Sequence, residues 1–328
     1  RNSFLHADTL AARLKQDQSQ AGENELAYLN LNLGNNYLKS ADYLKAISLY
    51  ISAALLFEKL NNKTFAANTY LNISNVYELL NQPQKSAFYT QMAATAAEGT
   101  GNERLLCAVQ LATVADLLNT HEFKKAEALL LKTEPMIKRL NSSYTNQNYF
   151  YYKGKINRAL NRKQEAFQSF HQSLQYAREN EDVFQVVDVM TALFQTYLTD
   201  NDLPSAKKYI DSVLAFAEAN QLNMSRFRAF EGLATWYEKK KDTIQSKRFS
   251  QRATMLNDSL LSIDKKNQLV NLETQFQVQA KENEIKVLRT EQKLAKMDLR
   301  QKSIGNYILS GGLVFLLLLS VLSYRTYR

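Results

Sequence analysis

The fold is decided by residues 31–54, LNLGNNYLKSADYLKAISLYISAA. Apolar and small residues recur here at helical spacing on both sides of a polar break at residues 40–43. Gly34 on one side and Ala46 on the other are small enough to let two helices approach closely. The stretch therefore predicts a hairpin of two packed helices.

Outward from this stretch, the same pattern returns every 40 residues, six times in all. The small position is filled by Ala46, Ser86, Ala126, Ala166, Ala206 and Ser246. Nine residues earlier, a mostly aromatic column holds Tyr37, Tyr77, Leu117, Asn157, Tyr197 and Tyr237. Three residues before that stand Gly34, Ser74, Val114, Gly154, Phe194 and Ala234. A fixed period of this length predicts a solenoid of stacked helical hairpins, which presents an extended binding surface.

The three prolines agree with such a chain of hairpins. Pro83 and Pro204 fall at the turns of repeats two and five, where the first turn of a helix tolerates proline. Pro135 falls late in a second helix, and we expect it to mark the end of that helix or a bend.

These columns resemble the tetratricopeptide repeat family over residues 27–260. The family pattern is carried best by Leu33, Gly34, Tyr37, Ala46, Tyr50 and Ala53. Repeat three departs from it at Thr113, Val114 and Leu117, and repeat four at Lys153 and Asn157. The resemblance implies an all-α solenoid of about six 40-residue hairpins, and composition agrees, with only 9 Gly and 3 Pro in 328 residues. We expect repeats over 21–256, preceded at 1–20 by a capping helix or partial repeat.

The end of the chain predicts a membrane anchor. Residues 303–324 contain no charged side chain and are long enough to cross a bilayer as one helix, leaving 325–328 beyond it. Residues 257–302 lack Gly and Pro and carry apolar residues at helical spacing, although the heptad breaks near 277–281. We interpret them as a signalling stalk that forms a homodimer; the alternative is a single solvated helix packed on the last repeat.

The segments 272–276 (LETQF) and 281–285 (KENEI), with Leu288 before the span, resemble the juxtamembrane region of repeat-containing sensor proteins of Bacteroidetes. The resemblance implies a sensor that binds a peptide or protein and controls a cytoplasmic histidine kinase domain. The alternatives are control of a helix-turn-helix transcription regulator, or a tail-anchored scaffold for protein–protein interaction. Whether the full protein is an enzyme stays open.

The sequence gives conflicting indications of membrane orientation. Lys293, Lys296, Arg300 and Lys302 before the span favour a cytoplasmic solenoid by the positive-inside rule. The sensor resemblance, and a chain that starts at Arg1 as after signal-peptide removal or excision, favour a periplasmic solenoid on a single-pass inner-membrane protein. We expect the periplasmic arrangement, with the cytoplasmic one as the alternative; the single Cys107 is compatible with both.

No catalytic, cofactor or metal motif stands in the sequence. His6, His121 and His171 are scattered, none at metal-ligand spacing, and phosphate-binding glycine motifs are missing. The formal charge of +9 is spread along the chain, so we expect no contact with nucleic acid, no cofactor and no metal.

The first helix of each hairpin is expected to line a concave face. The candidate ligand contacts lie near the column that begins with Gly34. They stand immediately after that column or one helical turn to either side, and are Asn35, Asn75, Tyr151, Lys155, Arg158 and Gln195. Asparagine amides can pair with a peptide backbone, and lysine or arginine with a carboxylate. The alternative is an ordinary solvated concave face.

Overall fold

The computed structural model describes residues 19–40 and 42–260, together with Leu10, Arg13, Leu14 and Asp17 before them. These residues form twelve α-helices with no strand among them. In chain order, α1 to α12 are Gln20–Lys39, Tyr43–Lys59, Lys63–Leu79, Pro83–Ala97, Glu103–Asn119, Phe123–Leu140, Ser143–Ala159, Lys163–Glu179, Val183–Thr199, Leu203–Ala219, Asn223–Lys239 and Thr243–Leu260. Each odd-numbered helix packs against the even-numbered one that follows, as the predicted hairpins require.

The true unit of the chain is 20 residues, half of the period seen in the sequence. From Tyr43 to Thr243, successive helices begin exactly 20 residues apart. Nine non-glycine residues have positive φ, one in each of nine helix connections, and five of them are asparagine. Those five are Asn61, Asn81, Asn141, Asn161 and Asn201. Asparagine tolerates the left-handed conformation that ends a helix, so these positions carry the stop signals.

A polar residue directly before the helix caps the N-terminus of several helices. Asp42, Asn62, Asn102, Asp182 and Asp202 each accept a hydrogen bond from the backbone N–H three residues on, at 3.4, 3.3, 3.2, 3.1 and 3.1 Å. Such caps satisfy amide groups that have no partner inside the helix. The left-handed residues that stop helices and the capping residues that precede them therefore set the short connections, most of which are three residues long.

The small residues of the repeat lie where two helices pack closely, as the sequence predicts. Ala46, Ala126, Ala166 and Ala206 are fully buried between helices. Gly34 allows a close approach, since a Cβ there would lie 2.6 Å from the Tyr50 ring. The small columns therefore set the spacing of the two helices in a hairpin.

Aromatic pairs fill the space beside the small residues in three of the repeats. Tyr77 stacks on Tyr89 at 5.5 Å between ring centroids and Tyr197 on Tyr209 at 5.4 Å. Tyr237 stacks on Phe249 at 5.5 Å. In every pair the partners are 12 residues apart, the first in the leading helix and the second in the helix that follows. Ring stacking adds about 0.5–1.5 kcal/mol to the burial of such side chains.

Two of the three prolines lie where the sequence predicts, and the third does not end its helix. Pro83 and Pro204 lie in the first turns of α4 and α10, as expected. Pro135 lies inside α6, which continues for five more residues to Leu140, so the expectation that it ends its helix is wrong. The capping segment 1–20 is described only in part. Most of the stalk segment 257–302 and all of the span 303–324 lie outside the described residues.

Among the described helices, none is both long and apolar enough to cross a membrane.

Candidate ligand groove

The leading helices α1, α3, α5, α7, α9 and α11 turn polar faces toward one groove of about 1240 Å³. That volume exceeds the roughly 300–1,000 Å³ of an ordinary small-molecule pocket. Second helices contribute little, among them Pro83 and Phe123 at the starts of α4 and α6. The groove is thus the inner surface of the solenoid.

All six residues predicted from the sequence line this groove. They are Asn35 on α1, Asn75 on α3, Tyr151, Lys155 and Arg158 on α7, and Gln195 on α9. The neighbouring Phe150 packs against the core and stacks on Tyr176, while Tyr151 and Tyr152 of the same aromatic run both line the groove. Their role as ligand contacts stays a prediction.

Lys155 and Arg158 form the cationic part of the groove. The Lys155 Nζ lies 5.3 Å from the centre of the Tyr151 ring, a cation–π contact. Arg158 donates to the Gln195 Oε1 at 2.8 Å and to the Ala192 carbonyl at 3.3 Å. Burial lowers the pKa of both side chains from their usual values. Within the described part of the chain, neither forms an ion pair within 4.0 Å.

Arg228 joins the two ends of the groove. From α11 its Nη2 donates to the Leu79 carbonyl at 2.9 Å and to the Glu78 carbonyl at 3.5 Å, both in the last turn of α3. Its Nη1 lies 3.6 Å from the Asp188 Oδ1 on α9. A guanidinium at this position is favoured by the negative end of the α3 dipole and by the carbonyl oxygens of its last turn. Helices eight apart in order are therefore in direct contact.

Asp188 lies at the centre of the charged groups in the groove. Its side chain is 32% exposed, and the exposed part faces the groove. Burial raises the pKa of Asp188 to about 6. Arg228 and Lys155 lower that pKa in part, while Glu78 and Asp182 raise it further. Acidic and basic groups thus alternate within the groove rather than forming one charged field.

The groove also contains a donor without a partner. The Gln185 Nε2 is buried and has no hydrogen-bond partner, although the backbone of the same residue is bonded to the Asp182 cap. A buried donor left unpaired costs about 1–3 kcal/mol. Tyr144, which is 61% exposed, and Phe227 supply apolar surface to the same groove. A ligand carbonyl that reached Gln185 would remove this cost.

Arg228 and Asp188 were not among the predicted contacts. They belong to one 40-residue column with Asn148, which also lines the groove, and this column lies seven residues before the column of Asn35 and Lys155. Seven residues are two helical turns, so both columns share a helix face. The periodicity that identified Lys155 was therefore sufficient to find them.

Metal and histidine chemistry has no support in the described residues. No group of three or more His, Cys, Asp or Glu side chains there could hold a metal ion. His121 occupies a left-handed turn position at the groove edge, against Phe123. His171 is exposed on α8, and His6 lies outside the described residues.

Comparison with known proteins agrees with the geometry. Residues 25–99, which span α1 to α4, match the family model described as tetratricopeptide repeat. The fold is a tetratricopeptide-like solenoid. A comparison with curated proteins found no match.

Solved structures extend the likeness over most of the described chain. A Rap protein complexed with competence and sporulation factor aligns with a TM-score of 0.58 at 15% identity, over 76% of this chain and 79% of that one. A signal transduction ATPase (STAND) protein with a tetratricopeptide repeat sensor, from Pyrococcus horikoshii, aligns with a TM-score of 0.54 at 16% identity over 76% of this chain. The match spans only 39% of that protein. At these identities the likeness is one of fold, a fold suited to protein–protein interaction.

Proposed function

We propose that the groove binds an extended peptide, or an extended segment of a protein, and that the chain is the sensor region of a membrane-bound signalling protein. The observation that carries the proposal is the groove itself, enclosed by six helices and lined by exposed rings and hydrogen-bonding groups. The structure of the Rap protein with competence and sporulation factor supports the idea that this fold can hold a signalling ligand.

The charges indicate what the ligand carries. Lys155 and Arg158 are cations on one face of α7, and neither forms an ion pair within 4.0 Å in the described chain, although the charges of Glu78 and Asp188 act on Lys155. A peptide carboxylate, either an acidic side chain or a free C-terminus, would complete both. Charge-assisted hydrogen bonds of this kind contribute about 1.5–3 kcal/mol each. The unpaired Gln185 donor would bind a backbone carbonyl beside it.

The relay is the second part of the proposal. Binding would bias the packing of the stalk 257–302, and the span 303–324 would pass that change to a histidine kinase domain in the cytoplasm. Support comes from the apolar, uncharged composition of 303–324 and from the juxtamembrane resemblance of 272–288. A ligand acts in this way only if it prefers one stalk state over the other.

The test for the groove uses fluorescence anisotropy on the full chain. Random nine-residue peptides with free C-termini are compared with the same peptides amidated. We expect the peptides that bind to lose about 10- to 150-fold in affinity for Lys155→Met, since each 1.4 kcal/mol is tenfold.

Lys208→Met is the matched control, because Lys208 is an exposed lysine on the second helix α10 and does not line the groove. Its affinities should equal those of the unmodified chain. If peptides bind equally to the two lysine variants, the proposed site is wrong.

A further inference from the structure

A second cavity, of about 560 Å³, lies on the other side of α7 from the groove. It opens between the second helices α6 and α8, with α7 as its floor. Residues of α7 divide between the two sites: Tyr151 and Lys155 face the groove, and Tyr149, Lys153 and Asn157 face this cleft. The cleft and the groove share no lining residue.

The cleft opens where repeat four lacks the aromatic pair that repeats two, five and six contain. The stacked rings of repeats two, five and six stand 12 residues apart at fixed positions of the 40-residue repeat. At those positions repeat four has Asn157 and Ser169, which are 6% and 3% exposed, and both line the cleft. Two rings are thus replaced by two small polar side chains, and the space is left open.

The walls of the cleft are suited to contact an aromatic ring. Tyr149 and Phe150 meet edge to face at 5.1 Å between centroids, and Leu130 and Ile156 are apolar neighbours. Lys153 occupies a position that is leucine in repeats one, five and six. Its Nζ lies 3.5 Å from the Tyr149 hydroxyl and 5.4 Å from the centre of that ring. The site therefore combines apolar walls with hydrogen-bonding groups.

Charge at the mouth of the cleft is internally balanced. Arg162 pairs with Glu127 across it, and the lining contains Glu165 as well as Lys153. A strongly charged ligand would gain little from this arrangement. The volume falls inside the range of about 300–1,000 Å³ that small-molecule sites occupy.

We propose that this cleft binds a small planar aromatic molecule with a hydroxyl or similar polar substituent, its ring taking the place of the missing stacked pair. The Asn157 amide would bind the substituent, and the Ser169 hydroxyl, which donates to the Glu165 carbonyl at 2.6 Å, would accept from it, while the Tyr149–Phe150 wall contacts the ring. Aromatic rings prefer such offset or edge-on contacts with other rings.

The experiment is saturation-transfer NMR on the full chain with p-cresol as the probe. We expect saturation transfer from the protein to the p-cresol ring protons. The saturated analogue 4-methylcyclohexanol, of similar size and with the same hydroxyl, should receive none. Equal transfer to both compounds would overturn the aromatic assignment.

Two variants locate the binding. Asn157→Tyr restores the aromatic column, fills the cleft and should reduce the p-cresol signal to that of a sample without protein. Ser169→Tyr fills the same space from α8. It replaces the first variant if helical circular dichroism shows that Asn157→Tyr does not fold. Lys155→Met, on the groove side of α7, should leave the signal unchanged.

An absent p-cresol signal in the unmodified chain would overturn the proposal, as would a signal that persists in a folded, filled variant. Because the groove and the cleft take separate probes and separate variants, either proposal can fail without the other.

Discussion

Replacing Arg228 by methionine tests whether the solenoid is closed by a single side chain. The change keeps an unbranched apolar stem and removes the guanidinium. It deletes the hydrogen bonds to the Leu79 carbonyl at 2.9 Å and the Glu78 carbonyl at 3.5 Å, and the pairing with Asp188 at 3.6 Å. The two carbonyl contacts join helices about 150 residues apart in the sequence, whereas Asp188 lies one repeat away.

The expected magnitude follows from these contacts. A hydrogen bond from a charged donor contributes about 1.5–3 kcal/mol. The pair with Asp188 adds at most about 1 kcal/mol, because 32% of each side chain is exposed and solvent weakens their attraction. Water in the groove can solvate the freed carbonyls and offset part of the loss. We therefore expect the free energy of unfolding to fall by about 2 kcal/mol, and the melting temperature by about 4–8 °C.

The decisive assay is hydrogen exchange measured by mass spectrometry on the last turn of α3, around residues 76–82. A loss of about 2 kcal/mol corresponds to roughly 30-fold faster exchange there, if the contact closes that end of the helix. Arg226→Met is the matched control: it lies two residues away on α11 and its Nη1 donates only to Asn223, at 3.1 Å, in the same helix. Equal exchange at α3 in both variants would refute a closing role for Arg228.

Two further predictions concern the groove and the core. Since burial raises the pKa of Asp188 to about 6 in the folded protein, the folded state holds more protons than the unfolded one between about pH 4 and 6, and stability falls as pH rises through that window. Asp188→Asn should flatten this fall, measured by urea unfolding at pH 4.5 and 7.5; an unchanged pH dependence would contradict the assignment. Gly154→Ala should cost about 1–3 kcal/mol in a urea melt, because its Cβ would lie 2.6 Å from the fully buried ring of Phe170. Gly232→Ala should cost less, since the nearest atom is the terminal Cδ1 of Ile210 at 2.6 Å and the nearest ring atom, of Phe194, is 3.0 Å away; equal costs would count against the packing argument.

The hairpin architecture was predictable because its signals are local. Small residues such as Ala46 and Ala166 recur at a fixed period, and each reports a contact between two helices adjacent in the chain. The same periodicity identified Lys155 and Gln195 as groove residues. The 20-residue unit could also have been predicted, because asparagines such as Asn61 and Asn81 stop successive helices. These signals lie in the turns rather than in the apolar pattern.

Pro135 does not end its helix, although a helix end is one of the two outcomes that its residue type predicts. Its residue type predicts a helix end or a bend, yet α6 continues to Leu140 and ends at Asn141, which adopts the left-handed conformation. Ile137 and Leu130, both buried in the surrounding core, lie on the same helix on either side of it. Burial of an apolar helix face outweighed the loss of one backbone hydrogen bond.

The sequence by itself determined the repeat, the helical hairpins and the face of each leading helix that turns inward. All of these depend on contacts between residues at most one repeat apart, and a periodic pattern records such contacts. Only the tertiary structure decided that Arg228 reaches the end of α3, 149 residues away, and that Asn157 and Ser169 leave a cleft. The curvature that brings α11 to α3 accumulates from a small rotation at each repeat, and no single stretch of sequence contains that sum.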